Sequence, residues 1–159
     1  MSGLFEQQYD RLVRWNRWAN HLVLDALRAS GGEPPAALAA FQHALETEVN
    51  WLRRIEAVPE PNPPLWTTAT LEQCEAYASE AEARFARIAP NLDATGLEST
   101  FSYANSRGTP FTDVTADALL HTFMHSMQYR GEAAAFLNAA GHRVPDMDLI
   151  FWTRSGEPA

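Results

Sequence analysis

The densest run of reactive side chains is His121-Thr-Phe-Met-His125-Ser-Met-Gln-Tyr129-Arg130-Gly131-Glu132. Residues four apart on an α-helix differ by about 40° in direction and about 6 Å in height. His121, His125 and Tyr129 therefore form a slanted row on one side of a helix, which Asp117 extends backwards. Two imidazoles at i and i+4 can share one metal ion, as they do in helical zinc sites. Two ligands leave a weak, open site, so a second element must supply another. His43 is the candidate, with the small residues Ala39 and Thr47 four positions to either side. Spacing alone does not place His43 beside the others. For His121 with His125 alone, a structural and a metal-binding role weigh equally. His21 and His142 carry no such pattern and are expected to be surface or hydrogen-bonded residues.

Four helical stretches must position these groups. In the first, Leu4, Phe5, Leu12, Trp15, Ala19, Leu22, Val23, Ala26 and Leu27 recur at three- and four-residue steps, and Gly31, Gly32, Pro34 and Pro35 end it. The second runs from about Ala36 to Ala57, with Leu38, Phe41, Leu45, Val49, Leu52 and Ile55 as its stripe. Pro59, Pro61, Pro63 and Pro64 then impose a loop. The third starts at Thr70, where Thr70 and Gln73 match a reciprocal capping box, and stops before Pro90. Asn91 to Thr112 is expected to be non-helical. Phe101-Ser-Tyr alternates and Asn105-Ser106-Arg-Gly108 is turn-like, which predicts a short hairpin. The fourth helix begins near Asp113 or Thr115, either able to cap it, and runs to about Ala140 with Gly141 as its stop. The terminal run Leu149-Ile-Phe-Trp152 is expected to pack down. These elements predict an all-α protein, a four-helix bundle forming one domain over residues 1–159. A long connection with a short hairpin joins its third and fourth helices.

Composition narrows the function classes. The chain has 159 residues, 46% hydrophobic and 20% charged, with a net charge of -8 at pH 7. All its basic residues are arginine. An acidic balance argues against a nucleic-acid partner, which needs clustered cations. Cys74 is the sole cysteine, so no intramolecular disulfide forms, and it is expected to be a small buried apolar residue. No apolar stretch approaches the length of a membrane span, and the N-terminus has no signal-peptide pattern, so a cytoplasmic location is expected. Trp15, Trp18 and Trp51 are expected in the core or at its rim. Arg130 points about 100° away from Tyr129 and is assigned either an anionic substrate, an ion pair with a helix carboxylate or a dimer contact. Gly131 is expected to permit close helix approach. Glu46 and Glu48 are expected to face solvent, and Glu132 carries no assigned role.

The chain resembles the DinB-like (YfiT-like) bundle family along nearly its whole length. The resemblance rests on Tyr9-x5-Trp15-Asn-x-Trp18-Ala-Asn20, Phe41-Gln-His43-Ala-Leu-x3-Val49-x-Trp51-Leu and Tyr103-x-Asn105-Ser-x-Gly108. It continues through Leu120-His121-x3-His125-x3-Tyr129-Arg130-Gly131 and Gly141-x3-Pro145-x2-Asp148-Leu-Ile. It implies a four-helix bundle, often a homodimer, with a divalent metal (zinc, nickel, iron or manganese) held by three histidines. By position the ligands are His43, His125 and residue 129, which is tyrosine here. A phenol with a pKa near 10 must lose its proton to ligate well. Two imidazoles and a phenolate form a harder set, more tolerant of iron or manganese. Alternatively His121 replaces the missing ligand, or the metal is lost and Tyr129 fills the pocket. The resemblance implies a metal-dependent transferase, isomerase or hydrolase acting on a small-molecule substrate, with a low-molecular-weight thiol as co-substrate. The other reading is a non-catalytic, stress-related ligand-binding or scaffold protein.

Overall fold

The computed structural model describes residues 3–58, 62–105 and 107–159. Pro59, Pro61 and Ser106, and the side chain of Phe5, lie outside the described residues. Helix α1 spans Leu4–Ala29, and Gly31 and Gly32, at φ +68° and +85°, turn the chain away from it. Helix α2, Pro35–Ile55, opens with Pro35 in its first turn, where a missing N–H leaves no helical bond unmade. Every residue from Ala40 to Asn50 is buried, so this helix has no solvent face along its middle. It packs against α5 and α3, while α1 packs mainly against the same two helices.

Helix α3 spans Leu71–Ile88. Its cap is half of the expected box. Thr70 Oγ1 accepts from the Gln73 amide at 3.1 Å, but the Thr70 amide donates to Gln42 Oε1 of α2 at 2.9 Å. A buried glutamine from the neighbouring helix has taken the place of the local one. The following segment is partly helical, contrary to expectation. A 3-10 turn, Ala89–Asn91, leads to α4, Ala94–Glu98, which Asp93 caps by accepting from the Gly96 amide at 2.8 Å. Strands β1 (Thr100–Ala104) and β2 (Pro110–Val114) then form the expected hairpin, antiparallel with Tyr103 opposite Phe111.

Helix α5 spans Thr115–Ala139. Neither candidate caps it, because both side chains are engaged elsewhere. Asp113 Oδ2 accepts from Tyr103 Oη at 2.9 Å, and Thr115 Oγ1 pairs with Ser99 Oγ at 2.9 Å. Gly141, at φ +86°, ends the helix as expected. In α6, Leu149–Arg154, only Trp152 of the apolar run is fully buried; Ile150 is 51% exposed, so most of that run lies on the surface. The mostly helical, all-α class holds, with two short helices and a two-stranded sheet added to the four long helices.

Two apolar clusters make the core. One gathers Val23, Leu27, Phe41, Leu45, Cys74 and Leu137; the other gathers Trp15, Val49, Leu52, Phe85, Phe123 and Trp152. Burial pushes the Cys74 thiol up to about 12, which removes it as a nucleophile. A buried polar network joins α1, α2 and α5. Asn16 and Asn20 of α1 donate to Glu48 of α2 at 3.0 and 3.1 Å. Their amide oxygens accept from Arg130 Nη1 of α5, which also lies 3.9 Å from Glu48 Oε1 and over the Trp15 ring. Of the three roles assigned to Arg130, the ion pair with a helix carboxylate is the one formed. Glu48 is therefore a core residue and not a solvent-facing one. Gly131, beside Arg130, is exposed and a Cβ there would meet nothing within 4 Å, so it serves no close helix approach.

Removing one partner from this network leaves the other charge buried and uncompensated. Glu48→Ala should therefore lower unfolding free energy by about 3–5 kcal/mol in urea denaturation. A loss under about 1 kcal/mol would show that the network contributes little.

Candidate functional site

α2 and α5 face each other, and their seam brings together three of the residues singled out by type and spacing. The His43 ring centroid lies 5.1 Å from that of His125 and 4.5 Å from that of Tyr129, and His125 lies 4.7 Å from Tyr129. All three rings are thus in mutual contact. His121, one turn earlier on α5, is exposed; its ring lies 5.6 Å from His125 and 5.2 Å from Trp51, in an aromatic group that continues to Tyr103. Among the described residues, no three His, Cys, Asp or Glu side chains gather as a group able to hold a metal. The third ring beside His43 and His125 is the phenol of Tyr129. Asp117, in the first turn of α5, is exposed. His21 is occupied elsewhere, 2.7 Å from Glu82.

The imidazoles sit in an environment that favours their neutral form. Burial, reinforced by the neighbouring His43 and His121, pulls His125 down to about 4. Burial likewise pulls His43 below the ordinary imidazole range. The Nδ1 atoms of both rings are buried with no hydrogen-bond partner. A buried polar atom without a partner is costly in a finished core and calls for a water, an ion or a ligand. His43 Nδ1 also lies 4.0 Å from Glu46 Oε2, too far for a hydrogen bond. A neutral imidazole pair with unused nitrogen capacity and an adjacent phenol suits a divalent cation.

Two important neighbours escaped the sequence reading. Glu46, expected at the surface, is 1% exposed and accepts from Gln42, Thr67 and the Trp66 amide at 2.8, 3.2 and 3.1 Å. It anchors the loop that follows α2. That loop lays Trp66 flat on His43, with ring centroids 3.8 Å apart and an interplanar angle of 14°. Trp66 is 60% exposed and has φ +59°, a conformation costly for a bulky residue. The hydrogen bond its backbone N–H donates to Glu46 and its stack on His43 offset that cost. No periodicity marks a loop residue, so the only available signal was a large aromatic side chain in a proline-rich segment.

The depressed histidines predict a pH dependence. In the unfolded chain they take up protons near pH 6.5, whereas His125 in the fold resists until about pH 4. The unfolded state therefore binds more protons across that window, and stability falls as pH drops through it. The thermal midpoint should decline between pH 6.5 and 4.5, above the range where the paired carboxylates Glu56 and Glu80, held low by Arg84 and its neighbours, begin to titrate. His125→Gln should flatten the decline; an unchanged profile in that variant would contradict the burial argument.

Comparison with known proteins fits the motif order along the chain. No curated protein matches it. A family model does match, described as the DinB family, over residues 4–158. Nearly the whole chain is covered, from the first turn of α1 to the residues after α6. The chain belongs to the DinB family.

Proposed function

We propose that this protein is a divalent-metal-dependent enzyme acting on a small-molecule substrate, its four long helices forming a four-helix bundle in one domain over residues 1–159. The observation that carries the reading is the contact of His43, His125 and Tyr129, with both imidazole Nδ1 atoms buried and unpartnered. These three residues would hold the ion. A metal at such a site supplies an open position that lowers the pKa of a bound thiol or water and so provides a nucleophile at neutral pH. Burial keeps His125 and His43 neutral and ready to donate lone pairs. Tyr129 adds an oxygen ligand in place of a third imidazole, which tilts the choice toward iron or manganese over zinc or nickel. Trp66 covers one face of His43, restricting water there and fixing the ring's orientation. The reaction is a thiol-dependent transfer or isomerisation, with hydrolysis as the variant in which water replaces the thiol.

The exposed apolar side chains Leu120, Met124 and Met127 on α5 support a homodimer. No helix of the described residues is long and apolar enough to cross a membrane; a cytoplasmic location is part of the same proposal. Tyr129 in the third position favours a second reading, a stress-related ligand-binding or scaffold protein without turnover.

Metal content separates the two. Protein purified without chelator should carry stoichiometric metal that is lost in His43→Ala and in His125→Ala. Tyr129→Phe should weaken binding by at least about tenfold, and Tyr129→His should shift preference toward zinc or nickel. A folded chain that takes up none of the four metals would leave the binding-protein reading in its place.

A further inference from the structure

The unpartnered polar atoms do not stop at the two histidines. On α2, Thr47 Oγ1, Asn50 Oδ1 and Arg54 Nε join His43 Nδ1 as buried side-chain atoms with no hydrogen-bond partner among the described residues. Their spacing of four, three and four residues places them on one face of the helix, spread over three turns or roughly 16 Å. One unsatisfied atom can be an accident of packing. Four in a row on one helical face mark a surface built to be satisfied by something else.

Arg54 ends the row. Its guanidinium lies 4.7 Å from the Trp51 ring centre and 4.3 Å from that of Tyr103, in the corner formed by two rings that meet edge to face at 5.4 Å. Among the described residues it is the one half-buried or buried arginine without a carboxylate partner; Arg11, Arg53, Arg84 and Arg130 are all in ion pairs. The acidic group nearest in effect, Asp113, already accepts from Tyr103 Oη. A cleft of about 280 Å³ opens here, lined by Arg53, Arg54, Asn62, Ser102 and Tyr103. The aromatic chain His125, His121, Trp51 connects this end to the histidine cluster, each ring within 5.6 Å of the next.

A guanidinium packed against two aromatic rings and paired with no carboxylate keeps N–H groups that can take a planar oxyanion through paired bonds. A monoanion would neutralise this single cation. A phosphate dianion would concentrate two charges at this one point beside Asp113, whereas a dicarboxylate brings only one charge here and keeps the other at its far end. We propose that Arg54, packed in the corner of the Trp51 and Tyr103 rings, is an anion subsite that takes the carboxylate of the substrate, with Thr47 and Asn50 hydrogen-bonding its polar middle. This rests on the reading of His43, His125 and Tyr129 as the reactive end of the same site. The substrate class is then an elongated small molecule carrying a carboxylate at the end remote from its reacting group.

The test uses the full chain freed of metal by chelator, so that it does not depend on the metal. Glutarate, its dimethyl ester and inorganic phosphate are titrated while the Trp51 indole N–H is followed by NMR. Glutarate should shift that signal saturably, and the ester should not. Arg54→Gln should weaken glutarate binding by at least about tenfold, with Arg54→Lys between the two. The comparison of acid with ester needs no variant and stands even if Arg54→Gln fails to fold. Equal binding of ester and acid, tighter binding of phosphate than of glutarate, or unchanged affinity in a folded Arg54→Gln would each overturn the proposal. Glutarate binding by a chain that takes up no iron, manganese, zinc or nickel when these are added back upholds the subsite and removes the metal reading; metal uptake without glutarate binding does the reverse.

Discussion

A carboxylate and a guanidinium buried in the middle of a helical core constrain everything around them. Glu48 and Arg130 are each about 1% exposed or less, and two asparagines of α1 bridge them. Neither charge can shift by a turn without losing its partners, and a one-turn slip would move an ion into apolar surroundings. The network therefore fixes the register of α2 against α5 and docks α1 on both. His43 lies five residues before Glu48, and Tyr129 immediately precedes Arg130. The interaction that locks the helices on one side thus aligns the histidine and phenol rings on the other.

The same logic separates two kinds of polar burial. Around Glu48 the donors and acceptors are matched, apart from Arg130 Nη2, and the Arg130 pKa falls only to about 10, so its charge persists at neutral pH. Along the α2–α5 seam they are unmatched at one residue after another. A matched network holds architecture in place, whereas an unmatched row leaves hydrogen-bonding capacity for a visitor. Both come from the same helix, on different faces, and that is why α2 can be central to the fold and to the site at once.

Helical periodicity made α1, α2, α3 and α5 legible because each carries an apolar stripe wide enough to count. The hairpin was legible from Asn105 and Gly108 and the alternation before them. Helix α4 was not, being a five-residue turn set by Asp93 and by contacts with α5. The surface assignment of Glu46 and Glu48 failed for a specific reason. An amphipathic helix is expected to have a wet side, and α2 has none along its middle, so polar type ceased to indicate exposure. Asp113 and Thr115 failed as caps because tertiary partners claimed them first. Of the candidate site, the sequence singled out the residues on helices, His43, His125 and Tyr129, whose rings the fold brings into contact, and missed Trp66, which a loop supplies.

The loop over His43 is fastened through the backbone. Glu46 binds the amide of residue 66 and Gln42 binds the amide of residue 70, bonds that almost any amino acid could make at those positions. The anchor therefore does not use the side chain it presents, but at φ +59° the backbone at residue 66 costs a bulky replacement more once the stack on His43 is gone. Glycine and asparagine, which take this conformation at least cost, are the replacements that would uncover His43 with the loop still fastened.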